Sequence, residues 1–149
     1  MLSLLVCLMF TGCSNSETNS TSRGLTDFAH IEEEYLATID SLNWPDGITL
    51  PDKLEDEDTG ASFQVGYGET RASYLWEYSW MKEWLDTYNT DPERAEKALE
   101  ELEKAFDMPY MGIDRCDDAT RNYLRENIDK AKLGDPSGFT ESIRANYAN

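Results

Sequence analysis

"TRASYLWEYSWMKEWLDTY", residues 70–88, has no glycine or proline and carries three tryptophans and three tyrosines. Its apolar and aromatic residues recur every third or fourth position, which is helical and not strand periodicity. At 100° per residue, Tyr74, Tyr78, Met81, Leu85 and Tyr88 share one face, with Trp84 beside them and Trp76 and Trp80 on a flank. A helix that is aromatic over more than half its girth must be covered from several sides, so it is expected at the centre of its domain.

Working upstream, Phe28, Ile31, Tyr35, Ile39 and Leu42 form one helical stripe, with His30 on the opposite, solvent-facing side. Asn43-Trp44-Pro45-Asp46-Gly47 stops that helix, because the residue before proline avoids the helical region and Pro-Asp-Gly favours a turn. A long connection over residues 44–69 follows, with the alternating Phe63-Gln64-Val65-Gly66-Tyr67 as one short extended segment. Gly66 and Gly68 are expected to let the chain turn into the aromatic helix, with Glu69 favourable at its positive end.

Downstream, Thr90-Asp91-Pro92-Glu93 reads as a capping box with proline in the first turn. Ala95, Ala98, Leu99, Leu102, Ala105 and Phe106 are the apolar stripe of this third helix, with Glu93/Lys97 and Glu100/Lys104 spaced as pairs on its wet face. A fourth helix over about residues 117–133 carries Tyr123, Leu124, Ile128 and Ala131 and stops at Gly134. After Asp135-Pro136 a short fifth helix aligns Phe139, Ile143 and Tyr147. The expected fold is all-α: one small bundle of about five helices over residues 26–149 with a single long loop.

Residues 2–10 are almost wholly apolar, yet too few for the ~20 residues a membrane-spanning helix needs. They fit the apolar region of a signal peptide. Phe10-Thr11-Gly12-Cys13 resembles the lipobox of bacterial lipoproteins, with Phe10 where leucine is usual. That resemblance implies removal of residues 1–12, a diacylglyceryl group on the Cys13 thiol, and a chain anchored to the outer, extracytoplasmic face of the cell membrane. No lysine or arginine precedes the apolar run, so a start upstream of Met1 is expected. Residues 13–25 then form the lipidated cysteine and a Ser/Thr/Asn-rich flexible tether, long enough to hold the domain about 20 Å from the membrane.

Among the 149 residues, 13 are basic and 30 acidic, for a net charge of −17. That balance argues against nucleic acid and anionic headgroups as partners and suits cations or basic partners. Cys7, Cys13 and Cys116 show no CxxC spacing, and lipoprotein processing would leave Cys116 alone, so no internal disulfide is expected. With His30 the only histidine, the commonest general base and metal ligand is nearly absent.

Several short patterns point to chemistry. Ser79-Trp80-Met81-Lys82 matches SxxK, but no SDN or KTG partner exists and Ser79 lies mid-helix, away from any amide-lined oxyanion site. Glu55, Asp56 and Asp58 alternate carboxylates before Gly60 without the EF-hand spacing; they are the metal candidates of a loop that reads first as a solvated acidic run. Asp117 or Asp118 suits a cap of the fourth helix better than a metal. Trp76, Trp80 and Trp84 are binding candidates, since indoles supply rigid contact area, with core packing as the competing reading. Glu77 falls between the tyrosine face and the tryptophan flank and is the catalytic candidate: a carboxylate there is partly desolvated, with a raised pKa unless a tyrosine hydroxyl, Arg71 or another cation pairs with it. No cofactor is expected.

The segment VGYGETRASYLWEYSWMKEWLDTY, with AKLGDPSGF later, is similar to a group of short secreted or lipid-anchored actinobacterial proteins of unknown function. The similarity spans about half the mature chain and implies that Ser79 and Tyr147 stand where other members carry cysteines. It brings no activity with it. The expected function is a non-enzymatic interaction or binding module of the cell envelope with an envelope protein partner. The alternatives are a carboxylate-dependent envelope hydrolase using Glu77, and a small inhibitor or immunity-type lipoprotein whose acidic loop and aromatics would form one convex patch.

Overall fold

The computed structural model describes residues 24–55 and 57–147. The expected signal segment, Cys13, the expected tether up to residue 23 and Asp56 lie outside the described residues. The fold is all-α: helices α1 (Phe28–Ser41), α2 (Tyr67–Thr87), α3 (Pro92–Glu103), α4 (Asp118–Lys132) and α5 (Ser137–Asn146), with two short 3-10 turns, Lys104–Asp107 and Pro109–Met111. The one addition is a small antiparallel ribbon of β1 (Leu25–Thr26) and β2 (Phe63–Gln64), Leu25 opposite Gln64 and Thr26 opposite Phe63. Leu25, expected as the last tether residue, is thus paired with the long loop.

Helix α2 is central, packing against α1, α3 and α5. It begins at Tyr67, three residues before the expected start, because its first turn is capped from outside. The Glu34 carboxylate on α1 accepts the N–H of Gly66 at 2.7 Å and that of Gly68 at 3.2 Å, filling donors that a helix start leaves open. His30, expected to face solvent alone, places Nε2 3.3 Å from the same carboxylate. Of the two glycines, only Gly66 turns the chain, at φ 88°; the Arg115 guanidinium fills the space a side chain there would need. Gly68 serves contact: a Cβ on it would lie 1.8 Å from the Ile31 carbonyl oxygen, so α1 and α2 meet backbone to backbone.

Of the two aromatic sides of α2, the tryptophan side is the buried one. Trp76, Trp80, Met81 and Trp84 are buried, whereas Tyr74 is 41% exposed and Tyr78 and Leu85 are half-buried. The reason is hydrogen bonding as well as size: the Trp76 and Trp80 Nε1 groups both donate to the Asn43 carbonyl, at 2.8 and 3.1 Å, so both indoles sink without an orphaned donor. Trp84 stacks on Tyr88 and meets Phe139 edge-on. The core lies on two sides of α2, one part with α3, α4 and α5, the other formed by Ile31, Tyr35, Ile39, Leu54 and Ala72.

Asp91, one residue after Thr90, caps α3 by accepting the Arg94 N–H at 3.2 Å, with Pro92 in the first position. Among the described residues neither expected wet-face pair closes to an ion pair. Arg94 instead reaches Glu83 on α2 through two hydrogen bonds, Lys104 pairs with Glu101, and Lys97 stands 5.8 Å over the Trp80 ring. Asp117 caps α4 at the Thr120 N–H, and Gly134 ends the helical stretch at φ 79°.

Candidate functional site

The face of α2 that the tryptophans leave free lines a groove of about 940 Å³, walled opposite by α4 and α5 and bordered at one end by the long loop. Five tyrosines line it: Tyr35, Tyr74, Tyr78, Tyr123 and Tyr147. Tyr74 and Tyr78 are there together because they stand four residues apart on one helix and so share a face. The Tyr147 ring lies 5.0 Å from that of Tyr78, and its hydroxyl donates to the Tyr74 carbonyl at 3.3 Å. Tyr74 in turn meets Tyr110 edge-to-face at 5.6 Å.

Glu77 is the buried carboxyl of this groove, 7% exposed. The Tyr110 hydroxyl donates to its Oε2 at 2.7 Å. Burial raises the carboxyl from the ordinary value near 4.5 to about 7, against the opposing effect of that hydrogen bond. The tyrosine hydroxyl expected as a possible partner is therefore present, and desolvation still outweighs it. Burial, then the neighbouring Glu77 charge, pushes the Tyr110, Tyr74 and Tyr147 hydroxyls upward.

The cations lining the groove already have partners. Arg71 Nη1 lies 2.8 Å from Glu57 Oε1, which also accepts the Tyr67 hydroxyl, and Lys53 Nζ lies 2.9 Å from Glu55 Oε1. Arg71 is thus drawn to the loop and not to Glu77. Glu55 also lines the groove, so two carboxyls border one concavity, one buried and one exposed beside a lysine. The half-exposed tyrosines and this loop border a hollow and not a convex patch.

Of the other candidates, Trp76, Trp80 and Trp84 are 1%, 1% and 2% exposed and none lines the groove; of their two readings, ligand surface or core, the structure places them in the core. Asp58 turns back on the Gly60 N–H at 2.9 Å, and Asp56 lies outside the described residues. Among the described residues no group of three or more His, Cys, Asp or Glu side chains could hold a metal ion. The Ser79 hydroxyl donates to the Leu75 carbonyl within α2, and Lys82 pairs with Asp86, so the SxxK residues are engaged separately. Cys116 is half-buried with its thiol 3.6 Å from Met111 Sδ; burial pushes its pKa up, away from what a nucleophile needs.

Periodicity placed the groove residues Tyr35, Tyr123 and Tyr147 on core stripes, and it gave no sign of Tyr110, which lies behind the groove, 33 residues from the carboxyl it serves. Compared with known protein families, curated proteins and solved structures, the chain matches none.

Proposed function

We propose that this chain is a lipid-anchored binding module of the cell envelope whose ligand occupies the tyrosine-lined groove. The observation that carries the reading is one concave surface of about 940 Å³ lined by five tyrosines and a buried carboxyl. Tyrosine rings supply large contact area at low conformational cost, and their hydroxyls supply orientation, the usual make-up of a small-molecule or peptide site. The membrane anchor rests on the lipobox-like residues 10–13. Among the described residues no helix is long and apolar enough to cross a membrane, so attachment through Cys13 is consistent with the domain.

The test is NMR of carbon-labelled tyrosine in the full chain, titrated with solubilised envelope fractions. Signals of Tyr74, Tyr78, Tyr123 and Tyr147 move while Tyr88, stacked on Trp84 outside the groove, stays still. Groove signals that do not move, or a uniform shift of every tyrosine, refute the reading.

One observation favours a second reading, an envelope hydrolase: Glu55 and Glu77 line the same groove, and Glu77 has the raised pKa of a general acid. Turnover of an envelope glycan or peptide that Glu77→Gln abolishes would support it over binding alone.

A further inference from the structure

We propose that the groove's ligand presents an organic cation, an alkyl- or quaternary ammonium group, seated against the Glu77 carboxylate and the rings of Tyr74, Tyr78 and Tyr147. The proposal rests on the reading of the groove as a ligand site and adds the chemical class of its occupant.

Charge pairing within the groove carries the argument. Arg71 is neutralised by Glu57 and Lys53 by Glu55, at 2.8 and 2.9 Å. Glu77 is the groove carboxyl left facing a neutral phenol, the Tyr110 hydroxyl. An anionic ligand would add repulsion at Glu77 and compete with two formed ion pairs, on a chain whose net charge is −17. An ammonium group instead supplies the missing counter-charge where water is largely excluded, and a charge pair is worth more there than in bulk water.

Electron-rich tyrosine faces add cation–π attraction, the basis of aromatic cages for quaternary ammonium ligands. A divalent metal fits poorly, because it needs several oxygen ligands and no such group exists among the described residues. The groove is far larger than an ammonium head, so the remainder of the ligand would lie along Tyr123 and the long loop.

Binding of this kind is linked to a proton. The groups facing Glu77 are Tyr110 from the 3-10 turn, Tyr74 on α2, Tyr147 after α5 and the Cys116 thiol before α4. All are raised from their ordinary values and stay neutral near pH 7, leaving Glu77 to titrate. With its carboxyl at about 7, the ionised fraction rises about tenfold between pH 6 and pH 8, and affinity for the cation rises with it.

The experiment titrates the full chain, carrying carbon-labelled tyrosine, with choline and hexylammonium and with their neutral counterparts, dimethylbutanol and hexanol, at pH 6 and 8. The expected result is movement of the Tyr74, Tyr78 and Tyr147 signals by the cations at least tenfold more tightly than by the neutral alcohols, strengthening about tenfold from pH 6 to 8. Glu77→Gln keeps an acceptor for Tyr110; in it, cation binding weakens at least tenfold and loses its pH dependence. Equal binding of cation and alcohol, or unchanged binding in Glu77→Gln, overturns the proposal. Groove signals that respond to envelope fractions but not to either ammonium probe overturn it and leave the groove reading standing. Signals that respond to neither overturn both.

Discussion

Replacing Glu77 by glutamine should stabilise the unliganded domain at neutral and alkaline pH and leave it unchanged in acid. In the unfolded chain the carboxyl titrates near 4.5, and in the folded domain at about 7 because burial disfavours its charge. Between those values the folded state holds the proton more tightly, so wild-type stability is fully present below about pH 4.5 and falls as pH rises through 7. At roughly 1.4 kcal/mol per pH unit, the gap amounts to about 3 kcal/mol once pH passes 8. Glutamine keeps an oxygen for the Tyr110 hydroxyl and never ionises, so it escapes that loss. Urea unfolding of both proteins from pH 4.5 to 8.5 should give a difference near zero in acid, growing to about 3 kcal/mol in favour of Gln, or about 10 °C in Tm for a domain of this size. The difference between the two proteins cancels the contribution of the other acidic residues. A difference that stays flat with pH, or a Gln variant less stable than wild type at pH 8, would refute the claim that Glu77 is desolvated.

Four further outcomes follow from the packing and the N-terminus. Gly68→Ala places a methyl 1.8 Å from the Ile31 carbonyl oxygen, forcing α1 and α2 apart, and should cost about 3 kcal/mol or more in urea unfolding. Gly47→Ala, at φ 81° in open space, should cost only about 1 kcal/mol in the same assay. Glu34→Gln weakens the carboxylate that caps α2 and should cost about 1–2 kcal/mol, with faster hydrogen exchange at the Gly66 and Gly68 amides as the local readout. Growing cells with a clickable fatty acid should label the wild-type chain and spare Cys13→Ser; equal labelling of both would sink the anchor.

How far the fold could be read depended on how many faces of each helix are wet. In α1 a single apolar stripe stands against an acidic face, so periodicity assigned Ile31, Tyr35 and Ile39 to the core, and all three are buried. In α2 both candidate faces are aromatic, and periodicity establishes a helix without saying which side turns inward. The tryptophans went in because the Asn43 carbonyl, over 30 residues upstream, takes two indole donors; the tyrosines stayed at the groove with their hydroxyls available. The α3 cap shifted from Thr90 to Asp91 because either residue can accept an early helix N–H, and only the backbone path selects between them.

Glu77 shows the same division. Its place between two aromatic faces already implied a desolvated carboxyl, since helical angle is a local property. Its partner could not be read that way: Tyr110 sits on a 3-10 turn beyond α3, and nothing in the spacing of either residue joins them. Likewise, the run of acidic residues before Gly60 was legible as charge, but its pairing with Lys53 and Arg71 depends on how the long loop folds back over α2.

Local order along the chain was therefore enough to establish five helices, one long loop, their approximate ends, and a buried carboxyl on the central helix, because turn residues and 3.6-residue spacing act within a few positions. The choice of core face on α2, the capping of that helix by Glu34, and the meeting of five tyrosines from α1, α2, α4 and the end of α5 in one groove with Glu77 belong to the tertiary structure alone. Each is a contact between residues distant in sequence, settled by which hydrogen bonds and volumes could be satisfied together.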